Sequence, residues 1–171
     1  MGNHSESLST IWVDTFVPSH DTTDVPQSLA AIYPHIVYST KNRDPLIPSE
    51  AEAHLAAYLA GAGERHGCPS LGVGVVTDHV HLLLRQSRTI TVADLVKELK
   101  TTSSAWMKQH RRDFAWQGGY AAFSFGRSEV AALQTYVRHQ SEHHRKLGFQ
   151  EELRALCVEH DIEWDERYVW D

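Results

Sequence analysis

The chain has 171 residues and 42% hydrophobic content, enough for one compact domain with its own core and an appendage. No apolar run approaches the ~18 residues of a membrane span, and the first thirty residues lack the basic head and apolar stretch of a signal peptide, so a cytoplasmic protein with no membrane partner is expected. Cys68 and Cys157 stand apart, without a C-x-x-C pair, which excludes a disulfide scaffold and a thiolate zinc site and leaves two small core residues.

The net charge of -6 is unevenly placed. Residues 1–24 hold four acids and no Lys or Arg, and residues 151–171 hold eight acids against Arg154 and Arg167. Removing both ends from the totals leaves 14 basic and 10 acidic residues in 25–150, a net of +4 that is compatible with a phosphate-backbone partner.

Residues 1–24 show no sustained period and read as a flexible N-terminal extension, although "IWVDTFV" has the composition of a short strand or docking segment. "PHIVYSTK" (34–41) has the β-branched and aromatic content of a first strand, closed by the proline-marked loop "NRDPLIP". Ser49 with Glu52 reads as a capping box before a helix that Gly67 and Pro69 stop. "SLGVGVV" and "HVHLLLRQ", separated by Thr77-Asp78, have the spacing of an antiparallel hairpin. Thr91 caps a long amphipathic helix, "VADLVKELKTTSSAWMKQHRR", with Val92, Leu95, Val96, Leu99 and Trp106 on the apolar side. "GYAAFSF" is a fourth strand. Ser128 is placed to cap a third helix, 129–147, which Gly148 ends, and "FQEELRALCVEH" is a further helix ahead of an acidic, aromatic tail.

The order β-α-β-β-α-β-α predicts an α+β, ferredoxin-like (RRM-like) fold: one four-stranded antiparallel sheet with helices on one face and additional C-terminal helices. In a strand, alternate residues share a face, so Val80, Leu82 and Leu84 take the covered side and His79, His81 and Leu83 the open one. Two readings of the histidine pair stand: half-exposed imidazoles on a solvated sheet face, or two ligands of a metal site that needs a third donor from elsewhere. Tyr136 and Gln140, four apart on the third helix, read either as an ordinary surface or edge-of-core pair or as a phenol beside an amide oxygen able to ligate a hard cation.

Taken together, "HIVYSTKNRDPLI", "DHVHLLL", "FAWQGGYAAFSF", "YVRHQSEHHRKLGFQEE" and "DIEWDERYVWD" resemble the single-tyrosine HUH transposases of the insertion-sequence-200 type, and within them most of all the REP-associated tyrosine transposases. The resemblance runs from about Val25 to Asp171, with the HUH domain over 25–150 and an acidic C-terminal helix and tail over 151–171. It suggests that Val25 stands where an initiating Met would, with residues 1–24 contributed by an upstream start. It implies His79, His81 and Gln140 as ligands of a divalent ion, Mg²⁺ or Mn²⁺, and Tyr136 as the nucleophile. The implied reaction is cleavage and rejoining of single-stranded DNA through a 5′-phosphotyrosine, at hairpin-forming repeats, by a cytoplasmic homodimer or a monomer. Energy kept in the tyrosyl ester removes any need for ATP, in keeping with the absence of a P-loop motif and of a nucleotide cofactor.

Lys97, Lys100, Lys108, Arg111, Arg112, Arg138, Arg145 and Lys146 are the candidates for phosphate contacts, and Trp116 or Tyr120 for base stacking. Two other classes compete: a non-catalytic, domesticated single-stranded DNA-binding protein, and a histidine-based phosphoesterase. The intact Tyr136, Gln140 and histidine pair argue against the first, and "HVHLLL" lacks the third alternating His expected of the second.

Overall fold

The computed structural model describes residues 27–140, 148–167 and 169–170. The 1–24 extension and the two cations Arg145 and Lys146 lie outside these. Four strands, β1 (Tyr33–Ser39), β2 (Ser70–Val75), β3 (His79–Leu84) and β4 (Ala121–Phe125), form one antiparallel sheet in the order β2-β3-β1-β4. Helices α1 (Ser49–Arg65) and α2 (Val92–Met107) follow β1 and β3, which completes the expected ferredoxin-like core. Helices α3 (Val130–Arg138) and α4 (Phe149–Glu159) follow β4. Among the described residues no helix is long and apolar enough to cross a membrane.

Helix boundaries follow local chemistry, with some shifts from the sequence reading. Thr91 Oγ1 accepts from the Asp94 amide at 3.0 Å, the expected cap of α2. The Ser49/Glu52 box does not form. The Pro48 carbonyl already accepts from Ala51 N at 2.9 Å, so the first turn closes one residue early and places Ser49 inside the helix, where its hydroxyl reaches only Glu50. Ser128 does not cap α3 either: Glu129 takes the N-cap position and folds its carboxylate back to Gly126 N at 2.8 Å. The helical run that begins at Val130 closes at Arg138, where the His139 amide is shared between the Thr135 and Tyr136 carbonyls and the His139 Nδ1 lies 2.7 Å from Thr135 O; Gln140 is again helical, and the part of the expected helix over 141–147 lies outside the described residues.

Register sorts the strand residues into two faces. Tyr38 opposite Val80 and Ile36 opposite Leu82 look toward α1 and α2, where they join Leu55, Leu59, Leu95, Leu99, Met107 and Phe114 in the principal core. The other face carries His79, His81 and Leu83 of β3 beside Ser39, Val37 and His35 of β1. This face is not open. Val130, Leu133 and Val137 of α3 pack on Leu83, and Phe149, Leu153 and Cys157 of α4 pack on Val37 and Phe123, so all six residues of β3 are buried. The C-terminal helices thus make a second layer, and the expectation of a solvated sheet face is corrected by their apolar stripes.

Close approach of α3 depends on β2. A Cβ at Gly74 would stand 2.3 Å from the Val137 carbonyl oxygen and 2.9 Å from Gln140 Cγ, whereas one at Gly72 would meet only Val137 Cγ1 at 3.5 Å, an ordinary contact. Gly74→Ala is therefore expected to push α3 outward and cost about 1–3 kcal/mol in urea unfolding, the range for overpacking. Gly72→Ala should unfold within error of the wild type. Equal midpoints for the two variants would show that α3 is not seated through Gly74.

Candidate active site

The second layer encloses the polar residues that the sheet face carries. His79 and His81 are each 1% exposed, Gln140 is 1% exposed and Glu152 of α4 is 6% exposed. Buried polar groups at these levels need partners, and the partners define the site. His79 Nδ1 lies 2.6 Å from Asp78 Oδ1, so the carboxylate accepts a hydrogen bond from Nδ1–H, and Nε2 is the ring nitrogen that could ligate a metal. The opposite side of the His79 environment is closed by Phe149, whose ring stacks on it with centroids 4.2 Å apart. His81 Nδ1 lies 3.0 Å from His35 Nε2 on the neighbouring strand, and its Nε2 is 3.6 Å from Glu152 Oε1.

Glu152 Oε1 is the point of convergence. The Tyr136 hydroxyl donates a short hydrogen bond to it, and Gln140 Nε2 lies 3.5 Å away. The Tyr136 ring stands edge-on to those of both His81 and His35, with centroids 6.2 Å apart in each case. The expected quartet of His79, His81, Tyr136 and Gln140 is therefore gathered in one place, even though α3 stops before Gln140.

Burial sets the electrostatics. Desolvation raises the Glu152 carboxyl from 4.5 to about 7, so it titrates near neutrality. Desolvation, with a smaller contribution from His160, lowers His35 to about 4, which keeps this imidazole uncharged at neutral pH.

The donor set fits a divalent cation. One ligand atom from each of His79, His81 and Glu152 lies within 4.8 Å of the others, and the buried Gln140 Oε1 has no hydrogen-bond partner among the described residues. Two imidazole nitrogens with one or two oxygens suit Mn²⁺ or a later transition ion well and Mg²⁺ less well.

The proposed DNA contacts scatter. Lys97, Lys108 and Arg112 are exposed, but they lie on or just after α2, across the sheet from the histidines. Arg111 is bonded to Asp113 and to the Pro45 carbonyl, at 3.0 and 3.3 Å. Lys100 donates to the carbonyls of Gln117 and Gly119 and lies over the Tyr38 ring, and its burial lowers its pKa to about 8. Trp116 packs edge-on against Tyr38 and Phe114 and donates to Ser103 Oγ at 3.0 Å, so its ring is taken up by the core, while Tyr120 is 40% exposed. Arg138 is the exposed cation nearest the site in sequence, two residues before Gln140.

Three participants escape a reading of the sequence. Glu152 sits among eight acids of a segment read as an acidic appendage, Asp78 looks like a turn residue, and His35 is an isolated imidazole in a strand. A signal for Glu152 does exist: it lies three residues after Phe149 and one before Leu153, inside the apolar stripe of α4 and not opposite it.

Comparison with known proteins places the chain in a family. The family described as "Transposase IS200 like" matches residues 28–140. The transposases for insertion sequence element IS200 of Salmonella typhimurium and Salmonella typhi are each 28% identical over 125 residues, covering 68% of this chain and 80% of theirs. Among solved structures, a candidate transposase from Deinococcus radiodurans superposes with a TM-score of 0.55 at 22% identity, over 68% of this chain and 95% of that one. A REP-associated tyrosine transposase bound to a REP hairpin gives 0.54 at 9% identity, over 79% and 88%. These two likenesses concern the fold. Since the family match runs from ahead of β1 through the tyrosine helix to Gln140, the chain belongs to the IS200-like transposases, enzymes that cleave and join DNA.

Proposed function

We propose that the protein cleaves and rejoins single-stranded DNA through a covalent bond between Tyr136 and a 5′-phosphate, with a divalent cation held by His79, His81 and Gln140. The observation that carries this reading is the meeting of the Tyr136 hydroxyl, His81 and Gln140 at one carboxylate oxygen, Glu152 Oε1. A phenol with a pKa of ~10 is a weak nucleophile at neutral pH, and it needs a proton acceptor at hydrogen-bond distance. Glu152 is that acceptor. As the Tyr136 oxygen bonds to phosphorus, its proton passes to Glu152 and the P–O3′ bond breaks, and the departing O3′ takes up a proton from solvent, leaving a 5′-phosphotyrosine and a free 3′-hydroxyl. The reverse attack by a 3′-hydroxyl rejoins the strand, with Tyr136 recovering its proton. When bound, a divalent cation supplies polarisation of the scissile phosphate and neutralisation of the charge that develops on it.

Gln140 Oε1 is the oxygen we assign to the cation, because its amide nitrogen faces Glu152 and its oxygen is left over. Tyr136 meets the histidines of its own chain, which supports a site completed within one protomer whether or not copies pair as a homodimer. With His79 and His81 this deeply buried, the scissile phosphate takes the place now held by the Phe149 side chain, and Glu152 stays beside Tyr136. A hairpin as the substrate is supported by the REP hairpin bound to the solved relative of the same fold. Arg138 is the cation assigned to phosphates next to the scissile bond, and Lys97, Lys108 and Arg112 to strand lying farther away.

Incubation with labelled single-stranded hairpin DNA and Mn²⁺, followed by denaturing electrophoresis, tests the mechanism. Wild type should form a covalent adduct that Tyr136→Phe lacks, and His79→Ala should lose cleavage while keeping most DNA binding. No adduct on any cognate hairpin would overturn the reading. Glu152→Gln should keep Mn²⁺ affinity within a few-fold but slow adduct formation by about 10²–10⁴, the range for a general base. Abolished Mn²⁺ binding would instead make Glu152 a ligand.

Glu152 also gives a pH signature. Its folded pKa of about 7 lies above the ordinary 4.5, so the stability it contributes is complete below 4.5 and is lost as pH rises through 7. His35, held at about 4 against 6.5, has the opposite slope between those values. With chelator present, thermal melts of wild type minus those of Glu152→Gln isolate the first effect, and the difference should fall across pH 4.5–7.

A further inference from the structure

His35 is fully buried and belongs to none of the roles assigned above. It lies on β1 opposite Leu83, one diagonal step from His81, which pairs with Val37. Beyond His81, the rings of Phe123, Phe125 and Tyr136 lie around it with centroids 6.3, 6.1 and 6.2 Å away, and His160 is near enough to act on it electrostatically. An aliphatic side chain would pack there with no polar atom to satisfy, and His35 Nδ1 has no hydrogen-bond partner among the described residues. Its Nε2, in contrast, stands 3.0 Å from His81 Nδ1, with the rings stacked at 23°. One nitrogen of that pair carries the proton and the other accepts it.

We propose that His35 is a positioning residue whose Nε2 accepts the His81 Nδ1 proton, fixing the His81 ring with Nε2 bare and turned toward the cation site. This rests on the cation reading above. Ligation through His81 Nε2 leaves the proton of neutral His81 on Nδ1, and an Nδ1–H at 3.0 Å requires a bare His35 Nε2. The two ligand histidines are then oriented in the same manner by different partners: His79 Nδ1 by the Asp78 carboxylate at 2.6 Å, His81 Nδ1 by a neutral imidazole. A carboxylate behind both rings would place a second anion in a buried layer that already holds Glu152. An imidazole orients the second ligand without adding charge.

The test is Mn²⁺ titration calorimetry of the full-length protein, with hairpin-DNA binding in EDTA and thermal melting as parallel measurements. His35→Leu removes the acceptor and fills the space. It is expected to weaken Mn²⁺ binding by about 10–100-fold, the range for a lost orienting partner, while the metal-free melting temperature holds or rises and DNA binding in EDTA is unchanged. His35→Gln, whose amide oxygen reaches the position of Nε2, should restore Mn²⁺ affinity to within a few-fold of wild type. Equal affinity of wild type and His35→Leu would overturn the proposal, as would equal losses in the Leu and Gln variants, which would mark His35 as packing alone. If His35→Leu does not fold, a tenfold loss in a folded His35→Gln overturns it and retained affinity supports it. Wild type that binds no Mn²⁺ at all would overturn the cation reading together with this one, and is distinguishable from the other outcomes at the first titration.

Discussion

Every residue of β3 from His79 to Leu84 is buried, and two of the six are imidazoles with four ring nitrogens to satisfy. That constraint organises the second layer of the protein. A buried polar atom left without a partner costs about as much as a well-made hydrogen bond contributes, or more. The surrounding elements answer it one by one: the hairpin turn supplies Asp78, the adjacent strand supplies His35, and α4 turns Glu152 inward from an otherwise exposed acidic segment. Tyr136 and Gln140 then meet the same carboxylate, so the tyrosine and the histidines are registered against each other through Glu152 as well as through the edge-on contacts of the Tyr136 ring.

The fold was legible because its signals are local. Alternation in "HVHLLL", β-branched content in "HIVYS" and the 3.6-residue period of α2 each identify an element without reference to its neighbours, and their order fixes the sheet. The histidine pair and the Tyr136/Gln140 spacing were legible for the same reason. What stayed hidden depends on which face is covered by what. The strand period places His79 and His81 together, but it does not say that α4 closes over them, and an acidic helix among eight acids reads as solvated until the positions of Phe149, Leu153 and Cys157 are weighed against Glu152. Trp116 shows the converse: an aromatic in a basic region suggests a stacking platform, and only packing against Tyr38 and Phe114 reveals a core residue.

The family match ends at Gln140, which separates the site into two kinds of contribution. The histidines, the tyrosine and the glutamine lie within the matched region, together with the sheet that displays them. Glu152 lies beyond it, on a helix attached to the sheet through Phe149, Leu153 and Cys157. A solved structure with 9% identity still shares the fold over 79% of this chain, so the topology tolerates near-complete replacement of side chains while it keeps its strand order.

The two layers are of unequal substance, and this sets a hierarchy of motion. The α1/α2 side of the sheet encloses a large continuous core reaching from Leu46 and Ile47 to Phe114, whereas α4 is held by a small cluster built on Val37, Phe123, Phe149, Leu153 and Cys157. Free energies of opening scale with the apolar surface released, so amide protons of α4 are expected to exchange through a sub-global opening and those of β1 and β3 only with unfolding of the whole domain. The strands that fix the histidines therefore belong to the slowest-exchanging unit of the molecule, and the helix that covers them belongs to a faster one. Opening of α4 alone would uncover the histidines while β1 and β3 stay paired.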